Sequence, residues 1–152
     1  MRYRIVAVGR LSRGFLRAGC DRYLGAVTRW APCEMVEVRG GKGADAEEVR
    51  AQEARALRSA ADGRRVVLDE RGTAWTTARL ARHVQELELS GTSRLSLLIG
   101  GAEGVASSLR DEADEVWRLS DLTLPHELAR LVLLEQLYRI ETLRAGHPYH
   151  RA

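Results

Sequence analysis

The sequence predicts an α/β fold in which a mainly parallel sheet is flanked by helices. Short apolar runs alternate with longer helical runs along the chain, and this alternation is typical of layered α/β proteins. The chain has 152 residues, of which 45% are hydrophobic, so it can close one substantial core. Because it contains no internal repeat and no linker-like segment, we expect a single domain spanning residues 1–152.

The first elements follow from their apolar patterns. Residues 4–9 are nearly all apolar after the first arginine and end in glycine, as expected of a short buried strand. An arginine-rich helix is predicted at residues 13–29. Residues 34–39 alternate at period two, which indicates a strand with one wet face, and three glycines make residues 40–43 a flexible loop.

The second helix carries signals at both ends. Asp45 can cap the amides of its first turn, and Glu48 occupies the capping-box position. Gly63 can adopt the left-handed conformation that stops a helix. The rest of the chain divides into strands at residues 64–69, 94–99 and 115–120, and helices at residues 77–89, 106–113 and 126–145.

The last helix predicts a homodimer. It is apolar on most sides, and in so small a protein the sheet can cover only one of them. A twofold partner subunit is the commonest cover for the remainder. A helix fully buried within a monomer is the alternative. The residues concerned are Leu128, Leu131, Val132, Leu133, Leu134, Leu137, Tyr138 and Ile140.

Composition excludes several classes of protein. The first apolar run is too short for a signal peptide and no apolar stretch approaches membrane-spanning length, so we expect a cytoplasmic protein without a membrane segment. Cys20 and Cys33 are too few for a disulfide framework and are interpreted as reduced packing residues. Lys42 is the only lysine among 24 basic residues. Arginine suits phosphate recognition, but genomic codon bias explains the same excess, and a net charge of +3 leaves RNA binding undecided.

Three loops are candidates for a ligand site. Ligands of open α/β sheets bind beyond the carboxyl ends of the strands, where residues 68–72, 99–104 and 119–125 are predicted to meet. The glycines of the second loop allow a backbone to approach a ligand closely. No Lys-Ser/Thr pair follows, as in a Walker loop, and the loop comes after the fourth strand, whereas a dinucleotide fingerprint normally follows the first. A purely structural turn explains these glycines equally well.

The histidines divide by position. His83 lies mid-helix and is expected to be a solvated surface residue. His147 and His150 lack a carboxylate or cysteine partner, so no metal site is predicted. His126 opens the last helix, where it either faces the third loop or is an ordinary first-turn residue. The tail, residues 147–152, mixes aromatic and cationic side chains that can stack on a base and contact phosphate, although a frayed terminus is equally ordinary.

The second half of the chain resembles the ribosomal RNA large subunit methyltransferase H family nearly motif for motif. The matching segments are residues 97–104 (LLIGGAEG), 119–126 (LSDLTLPH), 135–139 (EQLYR) and 147–151 (HPYHR). A weaker likeness at residues 6–9 and 67–69 extends the match over essentially the whole chain, and the loop at residues 40–42 departs from it.

The resemblance implies a SPOUT-type α/β fold whose C-terminal part forms a trefoil knot. It also implies binding of a bent S-adenosylmethionine and methylation of N3 of a pseudouridine in 23S ribosomal RNA on the assembled ribosome, with both subunits of a homodimer sharing the work. The cofactor residues that it implies are Leu68, Gly100, Leu119, Ser120, Asp121, Leu122, Thr123 and Leu124.

The implied reaction assigns roles to the remaining motif residues. The enzyme must align a nitrogen with the activated methyl group, at roughly 3 Å. Because N3 carries a proton at neutral pH, a histidine is useful as a base, and His126 and His150 are the candidates. Glu135 and Arg139 are expected to hold the site. Tyr149 and Arg151 are expected to bind RNA.

Two hypotheses from other functional classes are alternatives to a methyltransferase. The first is a ribosome-associated factor that keeps the fold without turnover, against which the intact cofactor motifs argue. The second is a flavodoxin-like carrier, which would be coloured if it bound flavin.

Overall fold

The computed structural model describes residues 1–150, in which five strands alternate with five helices. The alternation confirms the predicted α/β fold class. In chain order the elements are β1 (Arg2–Val8), α1 (Gly14–Thr28), β2 (Cys33–Val38), α2 (Ala46–Ala60), β3 (Arg64–Ala74), α3 (Thr77–Leu89), β4 (Arg94–Ile99), α4 (Ser107–Glu112), β5 (Glu115–Arg118) and α5 (His126–Arg144).

The strands form one sheet in the order β2-β1-β4-β3-β5, and every neighbouring pair is parallel. The carboxyl ends of all five strands therefore meet at one edge. β1 and β4 lie inside the sheet and are apolar on both faces, as parallel strands covered on both sides must be. This arrangement brings the three candidate loops to the same edge.

Two helical layers cover the sheet. α1, α3 and α5 pack on one face through side chains such as Leu16, Val84 and Leu134, and α2 and α4 pack on the other through Leu57 and Leu109. None of the helices within residues 1–150 is long and apolar enough to cross a membrane. The C-terminal knot implied by the resemblance stays a prediction.

The start of α2 is confirmed, whereas its end differs from the prediction. The Asp45 carboxylate accepts from the Glu48 amide at 2.8 Å, as predicted. The Glu48 carboxylate accepts from the Ala44 amide at 3.1 Å, one residue before the Asp45 amide that a capping box uses. The helix ends at Ala60, and the next residue is already extended. Gly63 is left-handed, with φ of 75°, but it serves the turn into β3.

β3 is longer than its apolar run predicts. Leu68 and Thr73 both pair with Trp117, so residues 69–72 bulge out of the ladder and the strand resumes as far as Ala74. A Cβ on Gly72 would lie 2.6 Å from the Val116 carbonyl oxygen, which explains why the strand returns at a glycine. β5 ends at Arg118, two residues earlier than predicted.

α5 is covered by its own chain more fully than the sequence indicates. α1 and α3 pack against it, and Leu133, Leu134, Leu137 and Ile140 are buried. These two helices account for much of the apolar surface that the sequence assigns to a partner subunit. The homodimer therefore stays a prediction.

His83 is not the solvated residue predicted from the sequence. Its ring stacks on Trp75 with centroids 4.7 Å apart, and its Nε2 lies 2.6 Å from a Glu115 carboxylate oxygen. Burial acts to raise the pKa of Glu115, but hydrogen bonds from Trp117, Arg64 and His83 outweigh it and lower that pKa. The prediction was wrong because the sequence of α3 alone does not show that His83 lies beside Glu115 of β5.

Candidate functional site

A cleft of about 1130 Å³ opens at the carboxyl edge of the sheet. All three candidate loops line it, together with one side of α2 and the first turn of α5. The volume is large enough for a nucleoside-sized ligand, since small-molecule sites measure roughly 300–1,000 Å³. Of the residues that the resemblance assigns to a cofactor, seven line the cleft: Leu68, Gly100, Leu119, Ser120, Leu122, Thr123 and Leu124.

The glycine loop after β4 folds tightly on itself. The Gly104 amide donates to the Gly101 carbonyl at 3.0 Å, and Gly104 has a φ of 78° that favours glycine. A Cβ on Gly100 would lie 2.7 Å from Val105 Cγ1 and 2.8 Å from the Gly104 carbonyl oxygen. Gly100 is therefore required for the loop to close, whatever the loop also does for a ligand.

The loop after β5 lines the cleft along most of its length. The Ser120 hydroxyl accepts from the Leu122 amide at 2.9 Å, which fixes a short turn. Leu122 is 77% exposed although it is apolar. Asp121, the eighth residue implied by the resemblance, instead pairs with Arg118 at 3.0 Å and keeps its carboxylate in solvent.

The first turn of α5 carries His126 into the wall of the cleft. Two side chains, those of Glu127 and Arg130, hold this end of α5 in place. Glu127 accepts from both the amide and the hydroxyl of Ser12, and these hydrogen bonds lower the pKa of Glu127. Arg130 is fully buried, where it pairs with Glu37 at 2.8 Å and donates to the Val8 and Gly9 carbonyls.

Charged residues that the sequence analysis did not single out also line the cleft. Arg50 donates to the Glu103 carbonyl at 3.3 Å and so ties α2 to the glycine loop. Arg110 donates to the Val105 carbonyl at 3.0 Å and lies 3.7 Å from the Asp69 carboxylate. Each sits on an amphipathic helix with many other charges, so its sequence position carries no distinguishing signal.

A second group of predicted residues gathers farther along α5. We call Glu135, Arg139, Tyr149 and His150 the tail cluster. The Arg139 guanidinium donates from Nε to Glu135 at 2.9 Å and lies 5.0 Å from the centre of the Tyr149 ring. The Tyr149 hydroxyl donates to Glu135 at 3.3 Å, and His150 Nδ1 lies 3.5 Å from the guanidinium. The tail through residue 150 is thus folded back onto α5.

Burial and charge shift the titration of the tail cluster. Burial raises the pKa of Tyr149 to about 12, helped by a hydrogen bond with Tyr23 and by the negative charge of Glu135. The hydrogen bond to Glu135 raises the pKa of Arg139. Tyr149 therefore stays a neutral donor and Arg139 a cation across the physiological pH range. Arg151 lies outside the described residues.

The tail cluster does not join His126 within one chain. Glu135 follows His126 by nine residues on the same helix. At a rise of 1.5 Å per residue, their backbones are about 13 Å apart along the axis. The structure thus brings His126 to the predicted cofactor residues and brings His150 to Glu135 and Arg139, but it keeps the two groups apart.

His147 makes an aromatic contact. The His147 ring contacts Trp30 edge-on, with centroids 5.3 Å apart. Within residues 1–150, no three or more histidine, cysteine, aspartate or glutamate side chains are close enough to hold a metal ion.

Comparison with known proteins agrees with this geometry. A family model described as "Predicted SPOUT methyltransferase" matches residues 1–150. A Thermus thermophilus protein named "Ribosomal RNA large subunit methyltransferase H" is 48% identical over 151 residues, which cover 99% of each chain. Proteins of the same name from Methylibium petroleiphilum and Geobacter metallireducens are 46% and 40% identical, over 99% and 100% of each chain.

This chain belongs to the ribosomal RNA large subunit methyltransferase H family, within the SPOUT class. Solved structures of lower similarity share the fold. A probable methylase family protein from Haemophilus influenzae has a TM-score of 0.58 at 14% identity, covering 99% of this chain and 70% of its own. The tRNA (m1G37) methyltransferase of Aquifex aeolicus has a TM-score of 0.54 at 13% identity, covering 100% and 76%.

Proposed function

We propose that this single-domain chain transfers a methyl group from S-adenosylmethionine to large-subunit ribosomal RNA. One observation carries the proposal. Seven of the eight residues that the family resemblance assigns to the cofactor line one cleft at the carboxyl edge of the sheet. Ligands of open α/β sheets bind at this edge.

The lining of the cleft suits S-adenosylmethionine. Leu68, Leu119 and Leu124 offer an apolar wall for an adenine ring, and the backbone of residues 119–124 offers amides and carbonyls for its edges. Gly100 lines the cleft without a side chain, because a Cβ there would collide with Val105 and Gly104. When bound, the cofactor supplies a methyl group that its sulfonium has already activated.

The residues of the chain must then orient the acceptor and remove its proton. His126 lies in the wall of the cleft, where its imidazole can receive a proton from an acceptor nitrogen. His150 is the other candidate, held beside Arg139 in the tail cluster. Glu135 fixes Arg139, and Arg139 and Tyr149 together present a cation and an aromatic face to RNA.

The finer substrate follows from the family resemblance. We propose that the acceptor is N3 of a pseudouridine in 23S ribosomal RNA and that the assembled ribosome is the substrate, which places the protein in the cytoplasm. Tyr149 and Arg151 would contact the RNA, with stacking and phosphate pairing as the recognition chemistry.

The separation of the two groups on α5 supports a homodimer. In one chain the tail cluster lies about 13 Å along the helix from His126. A twofold partner can bring its own tail cluster to this cleft, and the cleft of one subunit would then work with the tail of the other. Phe15 on α1 is 69% exposed and is available to such an interface.

The test is transfer of labelled methyl from S-adenosylmethionine to ribosomes that lack the modification, with isolated large subunits and free ribosomal RNA alongside. We expect label on one pseudouridine of assembled ribosomes. Tight cofactor binding without any label would contradict the proposal and favour a ribosome-associated factor without turnover.

A further inference from the structure

The bulge of β3 carries an acidic side chain in the wall of the cleft. Residues 69–72 leave the ladder between Leu68 and Thr73, and β-bulges commonly redirect a side chain in this way. Asp69, the first residue of the bulge, lines the cleft, and its side chain is only 9% exposed. It directly follows Leu68, which the family resemblance assigns to the cofactor, yet the proposed function gives Asp69 no role.

One oxygen of this carboxylate is satisfied and the other is not. Oδ1 accepts from the Arg71 amide at 2.9 Å and from the Arg71 guanidinium at 3.4 Å. Oδ2 accepts no hydrogen bond within residues 1–150, because Arg110 Nη1 lies 3.7 Å away, too far for one. Nor is Oδ2 among the side-chain atoms that the described residues seal from solvent without a partner. It is therefore a free acceptor that a ligand in the cleft can reach.

Arg110 offers donors beside this acceptor. It lies on α4, lines the cleft, and has a side chain that is 19% exposed. Its Nη1 donates to the Val105 carbonyl at 3.0 Å, which fixes the guanidinium beside the glycine loop. A guanidinium carries five N–H donors, and this carbonyl takes one of them. The wall thus presents an accepting oxygen and donating nitrogens side by side.

The charges around Asp69 narrow the class of ligand group. Arg71 and Arg110 flank the carboxylate at 3.4 and 3.7 Å, so its negative charge already has cations beside it. What Oδ2 lacks is a hydrogen-bond donor, and a hydroxyl supplies one without adding charge. A second hydroxyl on the neighbouring carbon can accept from Arg110. A vicinal diol therefore fits this pair of side chains.

We propose that Asp69 and Arg110 bind the 2′- and 3′-hydroxyls of the cofactor ribose. This inference rests on the proposed function, because it takes S-adenosylmethionine as the ligand of the cleft. Leu68 belongs to the apolar wall proposed for adenine, and ribose is bonded directly to adenine, so the next residue of β3 lies where the ribose is expected. Asp69 then makes the cleft specific for a ribonucleoside over a deoxyribonucleoside.

The test compares ligands that differ by one hydroxyl. Calorimetry without RNA would measure binding of S-adenosylhomocysteine, of its 2′-deoxy and 3′-deoxy analogues, and of methylthioadenosine, which keeps the ribose but lacks the amino-acid end. The variants are Asp69→Ala, which removes both oxygens, and Asp69→Asn, which keeps an oxygen for the Arg71 amide. The matched control is Asp62→Ala, because Asp62 also pairs with an arginine, Arg94 at 2.8 Å, but does not line the cleft.

We expect the parental protein to bind at least one deoxy analogue roughly tenfold or more weakly than S-adenosylhomocysteine, because the missing hydroxyl leaves a buried group unpaired. Asp69→Ala should weaken S-adenosylhomocysteine and methylthioadenosine by a similar factor and should no longer discriminate against that analogue. Asp69→Asn should discriminate less than the parental protein, since a neutral hydrogen bond replaces a charge-assisted one. Asp62→Ala should behave as the parental protein does.

Equal discrimination by the parental protein and Asp69→Ala would show a purely structural role for the carboxylate and overturn the inference. So would parental binding of both deoxy analogues as tight as that of S-adenosylhomocysteine. Weakening of S-adenosylhomocysteine with methylthioadenosine unchanged would also overturn it, by placing the carboxylate at the amino-acid end.

The proposed function fails in a different way. If the parental protein bound none of the compounds, the cofactor assignment itself would be contradicted and this inference with it. Melting temperatures without ligand check that each variant has folded. If Asp69→Ala does not fold, the loss of discrimination in Asp69→Asn decides the inference.

Discussion

The cleft and the tail cluster are served by the same helix, yet they are built in different ways. The cleft is formed by loops at the ends of strands, and its shape depends on glycines and on backbone hydrogen bonds. The tail cluster is formed by long side chains that pair with one another on the surface of α5. Backbone walls suit the binding of a fixed cofactor, whereas paired cationic and aromatic side chains suit a large polyanion.

The difference also separates two steps of the proposed reaction. His126 shares a cleft with the predicted cofactor residues, while His150 is held by Arg139. Variants of the cleft should therefore change cofactor binding, and variants of the tail cluster should change use of the RNA. Substitutions in the cleft, in the tail cluster and in the helix that joins them test this separation, and they follow in order of decreasing effect.

Gly100→Ala should have the largest effect. The added methyl group would meet Val105 Cγ1 at 2.7 Å and the Gly104 carbonyl oxygen at 2.8 Å, so the glycine loop must open. Overpacking of this kind costs about 1–3 kcal/mol, and we expect cofactor affinity to fall by up to roughly a hundredfold, measured by calorimetry. Gly25→Ala is the control, because its Cβ would meet nothing within 4 Å. Unchanged affinity in Gly100→Ala would remove the glycine loop from the cofactor site.

Arg139→Ala should slow methyl transfer but spare the cofactor. It removes the partner of Glu135 and the cation over the Tyr149 ring. We expect turnover on ribosomes to fall roughly 10- to 100-fold, and the dissociation constant of the cofactor to stay within about twofold, because distant sites act independently. Arg139→Lys should recover part of the turnover. A large loss of cofactor affinity in Arg139→Ala would contradict the separation.

Arg130→Met should weaken the framework that carries both regions. Arg130 lies between them on α5 and is fully buried, with Glu37 and two carbonyls as partners. Its loss should lower the free energy of unfolding by about 3 kcal/mol, measured in urea. Arg94→Ala breaks the exposed pair with Asp62 and should cost less than about 0.5 kcal/mol. Equal costs for the two variants would contradict the assigned role of Arg130.

Tyr149→Phe should have the smallest effect at neutral pH, since it removes only the hydroxyl, with its hydrogen bonds to Glu135 and Tyr23, and keeps the ring. The pKa of Tyr149 is raised to about 12. The neutral hydroxyl therefore stabilises the folded tail fully at any pH below about 10, the usual pKa of a tyrosine. It is lost as the pH rises towards 12. When phenolate absorbance is followed against pH, Tyr149→Phe should therefore lack a transition near pH 12 that the parental protein shows. A transition near pH 10 that disappears instead would show that the tail is not folded onto α5.

The sequence predicts the parts of the molecule that local chemistry determines. The capping of α2 by Asp45 and Glu48 follows from side chains three residues apart. The meeting of Leu68 and Gly100 follows from parallel strands whose carboxyl ends share an edge. The first follows from the local sequence alone, and the second from the parallel sheet that the alternation of strands and helices predicts.

What the sequence misses depends on which elements pack together. β3 resumes after Gly72 because the backbone of β5 lies beside it. The apolar pattern of the sequence does not predict that pairing. His83 lies within hydrogen-bond distance of Glu115, which is thirty-two residues away in the sequence. α5 is covered by α1 and α3, which cannot be read from its own composition. The resemblance names His126 and Glu135 together, and only the structure shows the length of helix between them.

The most direct test of the division between cleft and tail is a mixture of two defective proteins. Gly100→Ala subunits have an impaired cleft, and Arg139→Ala subunits have an impaired tail cluster. If each site combines the cleft of one subunit with the tail of the other, a mixed dimer keeps one intact site. We then expect random mixing after denaturation and refolding to restore about a quarter of the parental methyl transfer. Activity no greater than that of the two variants measured separately would contradict the shared site.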